Sequence, residues 1–420
     1  MKSLFKPIML IATVMILTVV TSCSNDDDSG TTLPPPNEIV TEEDLAAYLS
    51  NLVTAEEIPG FSVSVAARNQ LLFQQSFGYA NIEEQTPYSN TTVNSIASIS
   101  KTFIAAATVK AISQGYFTLD TNIKDLLPIE ITNPKRPEHD IKIKHLVTHT
   151  SGIVDVIETY VATNYYILPN EDIHTSVAEI MINELGIQQR EPVTLEAYLA
   201  AFFEEDGEFY SLDTFLDAAP GEQWQYSNIG ASLMSFIIEH VTGQSFDDYV
   251  MEHILNPLQM THSTYNLYDV NLSNMATQYL DASRPFPRYG NHSYAEGSMY
   301  TTNNDLGNYL LEMMRGKRGE NASLFSTEYF DLLFQERLDT GMIPIEFAEN
   351  QGIFWFTNNE SLLHAGNSLG VSSDLQIKKD GSSGYIIVTN MDGTFNQNYP
   401  KWERTKQLIA DAIHQFISNN

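Results

Sequence analysis

From Ser98 to Gln114 the chain offers a helix that is apolar on most sides. Ile99, Phe103, Ile104, Val109 and Ile112 spread around the helical repeat, Ala105-Ala106-Ala107 fills the middle, and Gly115 supplies a stop. A helix apolar on most sides must be buried, so the rest of the chain has to enclose it. With 43% hydrophobic and 11% aromatic residues there is enough apolar side chain to do so. Cys23 is the only cysteine and stands near the amino terminus, at the end of an apolar leader-like run, so the folded part has no disulfide, Cys-based metal site or cysteine nucleophile to draw on and rests on its core. A length of 420 residues suits one large domain with an inserted subdomain as well as two separate domains.

Around that helix the pattern alternates in type. Thr41-Glu42-Glu43-Asp44, followed by Leu45, Tyr48, Leu49 and Leu52, predicts a capped helix. Phe61 to Ala67 and Leu71 to Phe77, joined by Arg68-Asn69-Gln70, predict a hairpin. A second clear helix runs from about Ile229 to Gly243, and residues 155–217 between the two helices are helix-prone. Further on, Gly352–Phe356, Leu362–Ala365, Ser372–Lys378 and Tyr385–Asn390 read as an antiparallel meander with turns at Asn358-Asn359 and Asp380-Gly381, closed by a helix from Trp402 to about Ile417. One antiparallel sheet covered by terminal helices, with a mostly helical subdomain inserted over roughly residues 120–300, buries all of these faces. The fold class expected is therefore α+β.

The amino terminus reads as a leader. Lys2 and Lys6 precede an apolar run, Ile8 to Val20, too short for a comfortable membrane span. It ends in Val20-Thr21-Ser22-Cys23, which resembles a bacterial lipobox and makes Cys23 the expected lipidation site; the bland alternative is an incidental cysteine beside a cleavable signal. Residues 23–40 then form an acidic, proline-rich tether, and residues 41–420 the folded domain. The acidic run resembles surface-export signals of some Bacteroidota lipoproteins, and serves equally as a solvated linker. An exported lipoprotein of the cell envelope, held to the membrane through its lipid alone, is the expected location. Losing the leader removes Lys2 and Lys6 and no acid, moving the net charge from −31 to −33, a field that opposes nucleic acid as a partner.

Three short motifs carry the chemistry. Ser98-Ile99-Ser100-Lys101 puts a hydroxyl and an amine on one face at the start of the buried helix. Burial and the positive helix terminus both disfavour an ammonium, so Lys101 is expected to be partly neutral and to accept the Ser98 proton. The pattern alone is weak, since Ser3-Leu4-Phe5-Lys6 matches it inside the leader. In Tyr226-Ser227-Asn228, the phenol of Tyr226 suits proton transfer and the amide of Asn228 suits orienting a substrate carbonyl; a core tyrosine and a capping asparagine are the plain alternative. In His364-Ala365-Gly366-Asn367, Gly366 is expected to let a ligand approach the backbone, and the Asn367 amide to pair with that of Ser98 as an oxyanion hole.

In this order the three motifs resemble the serine β-lactamase and penicillin-binding family, in its branch with Tyr-x-Asn as second motif and His-x-Gly as third. Connecting stretches such as His145-Leu146-Val147-Thr148-His149-Thr150-Ser151-Gly152 and Pro220-Gly221 before Trp224 look similar too, over roughly residues 41–418. The resemblance implies a β-lactamase/transpeptidase-like fold with Ser98 as nucleophile, Lys101 as its base partner, Tyr226 as proton shuttle, Asn228 as a substrate-orienting amide and His364 at the third-motif position. It implies no cofactor and no metal. The substrate it implies is a small acyl compound: a peptidoglycan-type peptide, a D-amino-acid amide or an ester. His364-Ala365 removes the lysine and threonine that would grip a β-lactam carboxylate, which favours a DD-carboxypeptidase, D-amino-acid peptidase or esterase over a true β-lactamase. A non-catalytic binding or sensing module with this fold is the rival from another class.

Two decoys stand beside these motifs. Gly366-Asn367-Ser368-Leu369-Gly370 matches a nucleophile elbow, which needs a helix after the turn, whereas Val371 to Ile377 alternates like a strand. His145 and His149 stand four apart as zinc ligands do, but Leu146 replaces the glutamate a metalloprotease needs, and the stretch reads better as a structural loop beside the active-site groove.

Overall fold

The computed structural model describes residues 38–420. The leader, Cys23 and all but the last residues of the tether lie outside that range. Helix α1 (Glu42–Ala55) starts on the expected cap: Thr41 Oγ1 accepts the Asp44 N–H at 3.1 Å and the Asp44 carboxylate accepts the Thr41 N–H at 2.9 Å. Strands β1 (Gly60–Ala67) and β2 (Gln70–Asn81) form the hairpin, turning through Arg68 and Asn69 at φ 50° and 68°. Two consecutive left-handed residues give a turn whose twist matches that of the strands. Helix α2 (Ser100–Ser113) follows a short 3₁₀ turn, Ala97–Ile99, and every residue from Ser100 to Val109 is buried.

The middle of the chain carries α3 (Ile157–Asn164), α4 (Ser176–Asn183), α5 (Leu195–Phe203) and α6 (Asn228–Thr242), the last ending on Gly243 at φ 71°. It also holds a small mixed sheet that the helical reading of this region did not include, made of Tyr165–Ile167, Gln188–Gln189 and Tyr289–Asn291. Helix α7 (Asn303–Lys317) leads to β3 (Ser361–Ser368), β4 (Val371–Lys378), β5 (Ser383–Thr389) and the closing helix α8 (Tyr399–Asn419).

The main sheet has eight strands in the spatial order Asn350–Gln351, Phe356–Thr357, β3, β4, β5, β1, β2, Thr86–Pro87, all antiparallel. The first and last strands of the described residues thus meet at its centre, where β5 pairs with β1. Of the expected strand Gly352–Phe356 only Phe356 lies in a strand; Gly352 to Trp355 form a tight turn between two short strands, with Gly352 N–H donating to the Trp355 carbonyl at 2.8 Å.

Register assigns the two faces. Ala365, Asp374, Ile387 and Val63 lie side by side across β3, β4, β5 and β1, and so do Gly366, Ser373, Val388 and Ser62 one step along. Alternation sends the first row to one face and the second to the other. On the first face Val63, Val65 and Ile387 pack with Leu45 and Leu49 of α1 and Trp402, Ile409 and Ile413 of α8. On the second, Leu375, Ile386 and Val388 join a core with Phe103 and Ile104 of α2 and Tyr309 of α7, whose ring stacks on Phe103 at 4.1 Å. The chain is α+β, an antiparallel sheet flanked by helices, with α2 enclosed beneath the sheet.

Candidate active site

Ser98 lies half-buried in the 3₁₀ turn at the mouth of α2. Three residues on, Lys101 is fully buried, and its Nζ donates to Ser98 Oγ at 3.0 Å. Ala97, just before the serine, holds a left-handed φ of 47°, a conformation costing a non-glycine residue about 1–2 kcal/mol. The sheet holds the turn in this shape. Ser373 Oγ donates to the Ile96 carbonyl at 2.8 Å, and a Cβ built on Gly366 would sit 2.6 Å from that carbonyl oxygen and 2.9 Å from Ser98 N. The space expected above Gly366 for a ligand is therefore taken by the serine's own turn. β3 thus runs against the backbone of the serine's turn. The Asn367 side chain alternates to the far face, and its buried Oδ1 has no partner.

Lys101 departs from the sequence expectation. Burial pushes its ammonium down, but the Glu296 carboxylate, with help from Tyr226, outweighs burial and carries it above the usual lysine range. Glu296 Oε2 lies 2.6 Å from Nζ and the Glu296 main-chain carbonyl 2.8 Å away. The other carboxylate oxygen accepts from Tyr160 at 2.5 Å, and Asn164 Nδ2 donates to the Tyr160 hydroxyl at 2.9 Å. Lys101 is thus an ammonium, not a partly neutral amine, because a buried counter-ion, distant in sequence, faces it.

Tyr226 stands over this group, with Lys101 Nζ 5.2 Å from its ring centre. Burial pushes its phenol up while Lys101 and the Ser98 hydroxyl pull it down, and the net direction is up. Its ring packs on His149 at 4.5 Å and lies within 6.3 Å of Phe347 and Phe356. The following residues are held by Asp155. That carboxylate accepts the main-chain N–H groups of Asn228 and Ile229 at 2.8 and 3.1 Å, Asn228 Nδ2 at 2.9 Å and Ser227 Oγ at 3.1 Å. Burial raises the Asp155 carboxyl, against the pull of those N–H groups, to about 6. One side-chain N–H of Asn228 is therefore committed to anchoring the head of α6.

His364 is buried beside Phe356, its ring 5.1 Å away, and Nδ1 donates to the Ala365 carbonyl at 2.8 Å. Burial and then Lys101 drive its imidazolium down to about 3, so the ring is neutral. His149 is likewise held well below its usual value by burial, Lys101 and His364, and its Nδ1 accepts the Ser227 N–H at 3.3 Å. The two tautomers leave a donor on His149 Nε2 and an acceptor on His364 Nε2, both buried without a protein partner. His145 turns away, its Nδ1 taken by the Lys142 N–H at 3.1 Å.

Ser368 sits where one strand turns directly into the next, and the Tyr165 and Tyr289 hydroxyls flank it at 3.4 and 3.2 Å. No helix follows, as an elbow requires. Ser98, Lys101, Tyr226, His364 and Gly366 converge, while Glu296 and Asp155 were missed. The signal for Glu296 is faint: it is the only charge between Arg288 and Asp305. Asp155 carries none.

Residues 45–408 match the family model described as Beta-lactamase. Protein flp of Staphylococcus aureus (strain MW2) is 25% identical over 345 residues, covering 80% of this chain and 61% of that protein, so the chain spans about three fifths of that relative's length. The octameric penicillin-binding protein homologue from Pyrococcus abyssi superposes with a TM-score of 0.66 at 24% identity, over 87% of this chain and 77% of the other. D-amino acid amidase from Ochrobactrum anthropi SV3, complexed with L-phenylalanine, gives 0.67 at 18% identity, over 89% and 98%.

Proposed function

The chain belongs to the Beta-lactamase family, and on that footing we propose that it cleaves small acyl substrates through an acyl-enzyme on Ser98, as a peptidase or esterase and not as an efficient β-lactamase. The observation that carries the reading is the 3.0 Å contact of Lys101 Nζ with Ser98 Oγ at the head of a buried helix, under Tyr226. Ser98 Oγ attacks the carbonyl carbon, and the main-chain N–H groups of Ser98 and Asn367 face the oxygen as it gains charge. Tyr226, kept as a phenol, hands its proton to the leaving group. Water then releases the acyl group by the same route in reverse.

The substrate class follows from charge. Among the described residues Lys101 is the one charged group acting on His364, and Lys101 is already paired with Glu296. No spare cation is left at the third motif to grip a substrate carboxylate, so amides and esters without one fit better than β-lactams.

The test uses the full-length protein and a fluorophosphonate probe. Labelling of wild type that disappears in Ser98→Ala supports the acyl-enzyme. No label on wild type would favour the binding-module reading, and equal label on the variant would refute Ser98. Turnover is then compared on nitrocefin, a D-Ala-D-Ala peptide, a D-amino-acid amide and a short-chain ester; nitrocefin turnover matching that of the ester overturns the substrate ordering. We further propose attachment to the envelope through lipidated Cys23, which loss of labelled fatty acid in Cys23→Ala would support and retention would exclude.

A further inference from the structure

The three motifs send the serine's proton to Lys101. Lys101 cannot take it as it stands. Its three ammonium protons are all donated, to Ser98 Oγ at 3.0 Å, to the Glu296 carbonyl at 2.8 Å and to Glu296 Oε2 at 2.6 Å, and an ammonium has no lone pair. Tyr226 is held as a phenol and has a proton to give.

We propose that Glu296 is the proton acceptor behind Lys101: the Ser98 proton enters at Nζ while an ammonium proton leaves to Glu296 Oε2. The inference rests on Ser98 being the nucleophile. In the acylation step a proton crosses the 2.6 Å bond from Nζ to Oε2. The freed lone pair takes the Ser98 Oγ proton as Oγ bonds to the substrate carbonyl carbon, whose π electrons move to oxygen. An oxyanion, a Lys101 ammonium and a Glu296 carboxylic acid result, and the net charge of the buried group is unchanged. On collapse the bond to the leaving group breaks and that group takes the Tyr226 proton. Tyr226 is refilled from Lys101 and Lys101 from Glu296, which restores the starting protonation of all three and leaves Ser98 acylated. Keeping charge constant in a closed site avoids the large cost of an unpaired buried ion.

The surroundings of Glu296 suit this task. Its second oxygen accepts from Tyr160 at 2.5 Å, and Asn164 Nδ2 in turn donates to the Tyr160 hydroxyl at 2.9 Å. Ser293 Oγ, which donates to Asn164 Oδ1 at 2.9 Å, ties that amide down from the segment carrying Glu296 itself. The carboxylate is therefore locked with Oε2 toward Nζ. Glu296 touches no substrate and acts through Lys101, as a positioning and proton-holding residue.

The test measures kcat, KM, the fluorophosphonate labelling rate and the melting curve of the full-length protein and its Glu296→Gln, Glu296→Asp and Tyr160→Phe variants, on a neutral ester. Gln keeps the shape of Glu296 but accepts no proton. Its kcat should fall roughly 10²- to 10⁴-fold, the usual worth of a positioned proton acceptor, with KM within about threefold. Asp should recover part of the loss. Phe at position 160, which keeps the ion pair and removes one hydrogen bond to a charged group, should lose about tenfold in kcat. Wild-type kcat in Glu296→Gln, an Asp variant no better than Gln, or a loss appearing wholly in KM would overturn the inference. Should Glu296→Gln fail to fold, unchanged kcat in Tyr160→Phe would overturn it. Wild type without label on Ser98 removes the parent reading and this one together, whereas wild type labelled on Ser98 with active Glu296→Gln removes this one alone.

Discussion

Replacing Gly366 with alanine tests whether the sheet sets the geometry of Ser98. The new Cβ would lie 2.6 Å from the Ile96 carbonyl oxygen, 2.9 Å from Ser98 N and 2.5 Å from Ser373 Oγ, while ordinary contact begins at 3.4 Å. Two of the three obstacles are backbone atoms of the serine's own turn, so no side chain can swing aside to clear them. Opening the 2.6 Å contact to 3.4 Å needs a displacement of roughly 0.8 Å between β3 and that turn. Ser373 Oγ, which ties the turn to β4 through the Ile96 carbonyl, is pushed in the same movement. Overpacking of this kind costs about 1–3 kcal/mol of stability. A misplacement near 1 Å costs on the order of 10²-fold in rate, or about 2.7 kcal/mol of barrier. Gly366→Ala should therefore remain folded with a lowered melting point and lose about 10²-fold in fluorophosphonate labelling and in kcat/KM on a neutral ester. Labelling within twofold of wild type, with an unchanged melt, would refute the claim that β3 holds the serine.

Three further outcomes follow from the same geometry. Lys101→Ala leaves Glu296 charged and unpaired in the core, so urea unfolding should show a loss of about 3–5 kcal/mol, partly regained when Glu296→Gln is added; no recovery in the double variant would argue against the pair. His364 is neutral in the fold down to about pH 3 and takes a proton once unfolded, near pH 6.5. The folded value is depressed, so stability falls as pH drops below 6.5, by about 1.4 kcal/mol per unit for this one group. The melting-temperature difference between His364→Gln and wild type should accordingly move in the variant's favour between pH 7 and 4, and a constant difference would contradict the neutral ring. Ser368→Ala should keep wild-type labelling, since Tyr165 and Tyr289 enclose that hydroxyl; loss of label would reinstate it as the nucleophile.

What could be read from the residues was what neighbours in the chain decide. Thr41 with Asp44 makes its cap within one turn, Arg68-Asn69 makes its hairpin between adjacent strands, and Ser98 with Lys101 meets on one face three residues apart. Burial of α2 was legible as well, because a helix apolar on most sides has only one place to go. The turn at Gly352–Trp355 was not legible, since Ile353, Phe354 and Trp355 are as apolar as a strand and are fully buried in a turn. Nor was the state of Lys101. Helix position and burial argued for a neutral amine, and the protonated form is set by Glu296, 195 residues further along, which the fold brings to 2.6 Å. The residues marked Gly366 as a place where a ligand approaches the backbone, whereas in the fold it is the turn carrying Ser98 that approaches. Local chemistry thus determined which groups this chain can use. Their charge states were decided by the tertiary structure, because a buried group's charge depends on the counter-ion that faces it in space.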